Sequence, residues 1–161
     1  MIKKFNLLFI TFFKIGEIKY APGTIASLIA CLLFLLLLNF LNIVILFFLT
    51  LLIASYSFIA INYSFDSFDS NDPREIVIDE VVGQMLPLLA IPIYETLYIA
   101  PKEYYCIMAF VLFRLFDIWK PFPINYIDKN TEGSLGVMLD DILAGIYTIV
   151  ILIIIFFFIG A

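Results

Sequence analysis

Long unbroken apolar runs separated by short polar stretches dominate the chain, and the lengths of those runs predict membrane-crossing helices. A helix needs roughly 17–25 mostly apolar residues to span a bilayer. Residues 25–61 are almost continuously apolar, too long for one ordinary crossing, and carry Asn39 and Asn42 near the middle. Asparagine disfavours helix interiors and suits turns and caps, so this run predicts a hairpin of helices over 24–38 and 42–62. A polar loop over 62–75 follows. A third helix is predicted over 76–94, carrying Asp79, Glu80 and Pro87, then a turn at 95–103 and a fourth helix over 104–118. Two prolines, Pro121 and Pro123, and the glycines Gly133 and Gly136 mark 119–136 as a loop before a fifth helix over 137–159. The first apolar stretch, 5–13, is too short to span and suits an interfacial helix beside the bundle. Lys3 and Lys4 ahead of it imitate a signal peptide, but no small-residue cleavage pattern follows, so the segment is expected to be retained.

Composition supports this picture: 64% of the 161 residues are apolar and 14% charged, against roughly 45–50% and about 25% in an ordinary soluble domain. With no internal repeat or low-complexity linker, residues 1–161 read as a single all-α domain, a polytopic membrane bundle of about five crossing helices. Cys31 and Cys106 both lie inside apolar runs, where a thiol packs as a small hydrophobe.

The net charge of −5 matters less than where the charges fall. Counting crossings from the amino terminus puts Lys3, Lys4, Lys14, Lys19, Arg74, Arg114, Lys120 and Lys129 on one side, with Lys102 alone opposite. The positive-inside rule makes the crowded side cytoplasmic. The acids partition the same way: Asp66, Asp69, Asp72, Asp79, Glu80, Asp117, Asp128, Asp140 and Asp141 join the crowded side, while Glu95 and Glu103 lie opposite.

Several of these charges sit at or just inside helix ends, where an ionised side chain facing lipid would cost several kcal/mol. Asp79 and Glu80 open the third helix, with Gly83 one turn on; Asp140 and Asp141 open the fifth, with Gly145 one turn beyond Asp141. Arg114 and Asp117 share a face at i, i+3, and Lys120 continues that line. Helix-dipole and anchoring roles account for single residues, but two acidic pairs, Asp117 and nearby bases exceed what anchoring requires. A hard divalent cation such as magnesium would satisfy the acids. Arg114 and Lys120 suit a phosphate, the first as a bidentate fork and the second as a point charge. Together these groups point to phosphoester hydrolysis by metal-activated water. The segment APGTIASL at 21–28 adds a turn and a helix start, with Thr24 the expected cap and its neighbouring amides available to an anion.

Absences narrow the chemistry. There is no histidine, which excludes phosphohistidine phosphatases and Ser-His-Asp hydrolases. Cys106 and Arg114 are too far apart for a phosphate-cradling cysteine loop, and no DxD pair supports an aspartyl-phosphate phosphatase of the haloacid type. Metal-activated water survives, with a carboxylate nucleophile as the lesser option.

Four blocks, APGTIASL, EIVIDEVVGQ, FRLFDIWKPFPI and DKNTEGSLGVMLDDILAG, resemble the bacterial phosphatidylglycerophosphatase A family in order and spacing, over about residues 16–145. Arg114, Asp117, Trp119, Lys120, Pro121, Pro123, Asp140, Asp141, Ala144 and Gly145 stand in register. Ala26, where glycine is usual, Ser134 and Leu135 in the glycine-rich stretch, and the reduction of an early glycine pair to Gly16 are departures. They affect the first loop and not the acidic set. The resemblance implies a magnesium-dependent enzyme of the bacterial inner membrane, its site facing the cytoplasm, that converts phosphatidylglycerophosphate to phosphatidylglycerol. It implies a phospholipid substrate drawn from the bilayer and no nucleic acid. By matching position, Asp79, Glu80, Asp117, Asp140 and Asp141 are implied as metal ligands or the water-activating base, and Arg114, Lys120 and Thr24 as phosphate contacts. Two rivals stay open: a CDP-alcohol-type phosphotransferase, whose longer acidic signature is missing here, and a small transporter or structural bundle. The halves of the last three predicted helices that lie toward the opposite side carry no charge, so no polar track crosses the membrane.

Overall fold

The computed structural model describes residues 2–65, 68, 73–98 and 101–159. Among them every regular element is helical: α1 (Ile2–Ile10), α2 (Pro22–Leu38), α3 (Ile43–Ser64), α4 (Ile78–Leu88), α5 (Ile91–Tyr98), α6 (Lys102–Trp119), α7 (Ile124–Asn130) and α8 (Gly133–Ile159). A single 3-10 turn, Ile15–Glu17, precedes α2. Asp66, Asp69 and Asp72, expected on the charged side, lie outside the described residues.

The hairpin forms where the asparagines direct it. Asn39 ends α2, its side chain donating to the Leu35 carbonyl at 3.1 Å, and Asn42 caps α3 by accepting from the Ile45 amide at 2.9 Å. Helix α1 begins and ends about three residues before the expected 5–13 and lies against α3, where Tyr56 donates to Asn6 at 2.7 Å and stacks edge-on against Phe9. Left-handed backbone at Phe12, Phe13 and Lys14 stops it.

Three expectations need correction. The third predicted helix, 76–94, is two helices, α4 and α5. Neither Pro87 nor Pro92 can donate to the carbonyl four residues earlier, so the ladder loosens into i to i−3 bonds at Leu89 and Ala90. The Pro87 carbonyl is satisfied by the buried Tyr105 hydroxyl at 3.0 Å. Second, the 119–136 loop contains α7, starting directly after Pro123, and α8 begins at Gly133 instead of 137. Gly136 is helical, and its lack of a side chain makes room for the Thr131 carbonyl, which a Cβ there would overlap. Third, the expected loop over 62–75 starts late, because α3 continues to Ser64.

Two described helices, α3 and α8, are long and apolar enough to cross a membrane. Helix α2 is apolar but, at 17 residues, stands at the lower limit, and α4 and α5 have only 11 and 8, so the expected count of five crossings is not met by length alone. Large apolar side chains on α3, including Phe47, Phe48, Leu51 and Leu52, are exposed, as hydrocarbon-facing residues would be. Cys31 and Cys106 are both free and buried.

Helix α8 is the central strut, packed most extensively on α4. Glycines set that contact. A Cβ on Gly145 would sit 2.5 Å from the Gly83 carbonyl oxygen, and one on Gly83 would sit 2.7 Å from both the Asp141 carbonyl oxygen and the Phe113 ring. Small residues let helix backbones approach in this way, and here the approach brings the acidic ends of α4 and α8 together. At the other end Lys102 donates to Asn39 at 2.8 Å, so the α2–α3 turn and the start of α6 meet, as the crossing count requires.

Candidate active site

Five stretches of chain converge on a cavity of about 270 Å³ at the charged end of the bundle. Its walls are Ala21, Pro22 and Gly23 at the start of α2, Pro73, Arg74 and Ile76 before α4, Asp79 and Glu80 on α4, Arg114, Asp117 and Lys120 on and after α6, and Asp140 and Asp141 on α8. All five acids and both bases singled out from the sequence therefore meet in one place.

Within the cavity the charges sort into two kinds. Asp79, Glu80 and Asp141 form a tight trio, each offering a carboxylate oxygen within 4.8 Å of the others. Asp117 and Asp140 instead hold the cations. Arg114 pairs with Asp117 at 2.6 Å and reaches Glu80 at 3.8 Å; Lys120 pairs with Asp140 at 2.7 Å and also with Asp128. Burial works against the charge on Lys120, but its hydrogen bonds to Asp128 and Asp140 outweigh that and hold its pKa above the ordinary lysine value. A left-handed backbone at Lys120, φ 45°, ends α6 and turns the side chain back towards α8.

The hydrogen-bond account is incomplete in a telling way. Among the described residues, buried oxygens of Asp79, Glu80, Asp140 and Asp141 have no partner, nor has the Arg114 Nε. Buried polar atoms in native proteins are nearly always satisfied, by protein, water or ion. The lining carries five carboxylates against three cations, Arg74, Arg114 and Lys120, a formal excess of two negative charges. The donor set is all oxygen, which fits a hard divalent cation of the magnesium type.

Thr24 departs from expectation. The residue at the cap position of α2 is Ala21, in left-handed backbone with no side-chain bond, and Pro22 takes the first helical position, where its missing N–H costs nothing. Thr24 is the third residue of the helix, within its first turn, and is not part of the cavity lining, whereas Gly23 is. A Cβ on Gly23 would overlap the Glu80 carboxylate, so the PGT turn serves as a seat for Glu80.

Three participants were not singled out beforehand. Ser27 donates to the Gly23 carbonyl at 2.9 Å and lies 3.4 Å from Arg114, linking α2 to the guanidinium. Its signal, a serine one turn after the glycine in an apolar helix, was available. Asp128 had been placed only on the crowded side of the membrane, because the segment that carries it looked like loop. Arg74 lines the cavity from the segment before α4.

Comparison with known proteins agrees with the resemblance. Residues 8–156 match the family model described as Phosphatidylglycerophosphatase A. A Bacteroides thetaiotaomicron protein named "Putative phosphatidylinositol-3-phosphatase" is 37% identical over 145 residues, covering 88% of this chain and 87% of that protein. A Haemophilus influenzae protein named Phosphatidylglycerophosphatase A is 37% identical over 139 residues, 86% of this chain and 81% of that one. The Escherichia coli protein of the same name is 39% identical over 90 residues, 56% of this chain and 46% of that one. No solved structure matches the chain.

Proposed function

Because the chain belongs to the phosphatidylglycerophosphatase A family, we propose that it hydrolyses phosphatidylglycerophosphate to phosphatidylglycerol and inorganic phosphate. The observation that carries this reading is the single cavity in which an unsatisfied carboxylate trio faces two ion-paired cations. A phosphate dianion would be repelled by the excess negative charge of such a cavity unless a cation joined it.

Asp79, Glu80 and Asp141 are the proposed ligands of Mg²⁺, a narrower set than the five acids implied by the resemblance. The ion, when bound, would supply Lewis acidity at phosphorus and lower the pKa of a bound water. Arg114 and Lys120 would grip the phosphate oxygens, each kept in position by its own carboxylate, Asp117 and Asp140. Asp140 holds Lys120 through Oδ2 and leaves Oδ1 without a partner, which fits that oxygen to accept the proton water loses on attack. The Gly23 amide, near the start of α2 and without an intrahelical acceptor, belongs to the cavity wall and would add a donor to the phosphate.

For the membrane arrangement the proposal keeps five crossings: α2, α3, the broken pair α4 and α5, α6 and α8. At the break between α4 and α5, Pro87 and Leu88 are buried and the Tyr105 hydroxyl donates to the Pro87 carbonyl, which makes irregular backbone tolerable at membrane depth. The catalytic end faces the cytoplasm of a bacterial inner membrane. Single substitutions Lys129→Cys and Glu103→Cys test this with an impermeant thiol reagent, since both native cysteines are buried. Labelling of residue 103 from outside and of residue 129 only after lysis is expected; the reverse pattern would invert the orientation.

Phosphate release by the purified protein in mixed micelles tests the substrate. Phosphatidylglycerophosphate with magnesium is expected to be hydrolysed. The name of the Bacteroides relative makes phosphatidylinositol 3-phosphate the second candidate, and a higher kcat/KM on that lipid would replace the proposed substrate.

A further inference from the structure

The proposed substrate carries two phosphates, a terminal monoester and, across a glycerol bridge, a diester joined to diacylglycerol. The acidic trio, Arg114 and Lys120 account for the first. We propose that Arg74 is the contact for the second, a rim subsite that recognises the lipid phosphodiester and sets selectivity for a headgroup with two phosphates. The inference rests on the phosphatase reading above and deepens it.

Arg74 is the cavity's third cation and differs from the other two. Arg114 and Lys120 are partly buried and held by carboxylates. Arg74 is exposed, and among the described residues no carboxylate lies within ion-pairing distance of it. Its one hydrogen bond among the described residues is donated by Nη2 to the Lys19 carbonyl at 2.9 Å. That bond fixes the guanidinium at the cavity mouth while leaving most of its five N–H groups for a ligand.

Position favours the diester over the monoester. The diester stays attached to a diacylglycerol in the bilayer, so it cannot follow the terminal phosphate into the buried acids and must stop at the rim. Arg74, Pro73 and the start of α2 form that rim. A second cleft of about 430 Å³ lies on the far side of Arg74, but Glu17 and Glu75 line it with Lys19, so an anion gains less there. An arginine fork matches two phosphate oxygens where lysine offers a point charge.

Product inhibition separates the two subsites. Phosphatidylglycerol keeps the diester and lacks the monoester, whereas inorganic phosphate addresses only the inner site. Steady-state hydrolysis of phosphatidylglycerophosphate in mixed micelles would be compared for wild type, Arg74→Gln and Arg74→Lys, with each product as inhibitor. Losing a charged hydrogen-bonding group is expected to raise the KM of Arg74→Gln by roughly ten- to a hundredfold with kcat within about threefold. Inhibition by phosphatidylglycerol should weaken in parallel and inhibition by inorganic phosphate should not, with Arg74→Lys intermediate. Unchanged KM, equal weakening towards both products, or a loss confined to kcat would overturn the subsite, the last pointing to loop tethering through Lys19. Absence of hydrolysis by wild type would instead remove the phosphatase reading, a separate failure.

Discussion

Adding one methyl group at Gly145 is expected to disable the site without touching any charged residue. The Cβ of a Gly145→Ala variant would lie 2.5 Å from the Gly83 carbonyl oxygen, 3.4 Å from the Gly83 carbonyl carbon and 3.3 Å from Leu86 Cδ1. Leu86 can turn aside, but Gly83 contributes backbone inside α4. Ordinary contact needs roughly 3.5 Å, so α4 and α8 must part by about 1 Å. Overpacking of this kind costs about 1–3 kcal/mol in stability. Its effect on chemistry is larger, because Asp79 and Glu80 ride on α4 and Asp141 on α8. A misplacement of about 1 Å can cost on the order of a hundredfold in rate. The assay is phosphate release from phosphatidylglycerophosphate alongside thermal unfolding in detergent. Gly83→Ala should act alike, with the Phe113 ring also displaced, and the double variant should lose less than the product of the two, since one separation of α4 from α8 relieves both backbone overlaps. Wild-type turnover by Gly145→Ala, with the protein folded, would refute the claim that this contact sets the carboxylate geometry.

Other consequences are equally open to measurement. Lys120→Met leaves Asp140 and Asp128 without their shared cation and should lower kcat/KM by at least about a hundredfold, measured by phosphate release, with Lys120→Arg retaining part. The raised Lys120 pKa means its ion pairs stabilise the fold fully below the ordinary lysine value near 10.4 and are lost as pH climbs through the folded value. Alkaline melting curves of wild type should therefore show a loss of stability that Lys120→Met lacks. Tyr105→Phe removes one of the two hydrogen bonds to the Pro87 carbonyl, which keeps the Ala90 amide, and should cost about 0.5–1.5 kcal/mol in denaturation while turnover persists. Gly23→Ala should raise the magnesium concentration needed for half-maximal activity, because its methyl displaces the Glu80 carboxylate.

Much of this organisation was legible because membrane helices write themselves as apolar runs. Asn39 and Asn42 set the hairpin, and counting crossings put every candidate acid at one end, where the structure gathers Asp79, Glu80, Asp117, Asp140 and Asp141. Local rules failed where tertiary contact decided. Gly133 and Gly136 have the composition of a loop and belong to α8: Gly133 opens the helix at φ 72°, and Gly136 makes room for the Thr131 carbonyl. Pro87 and Pro92 together broke a helix that its apolar length predicted to be continuous. Thr24 has cap chemistry, yet Pro22 takes the first helical position and leaves Thr24 third in the helix. The division of the acids into a tight trio and two cation holders depends on distances between helices, which spacing along one chain cannot supply.

Magnesium titration of phosphate release from phosphatidylglycerophosphate, by wild type and by Asp141→Asn, addresses the central claim most directly. Wild type should show a saturable requirement for magnesium that a chelator abolishes and added magnesium restores. Asp141→Asn should release no phosphate at any magnesium concentration while keeping its helical circular dichroism and membrane extraction behaviour. Release by wild type in excess chelator, or full activity in Asp141→Asn, would contradict a metal-dependent phosphatase built on the carboxylates of α4 and α8.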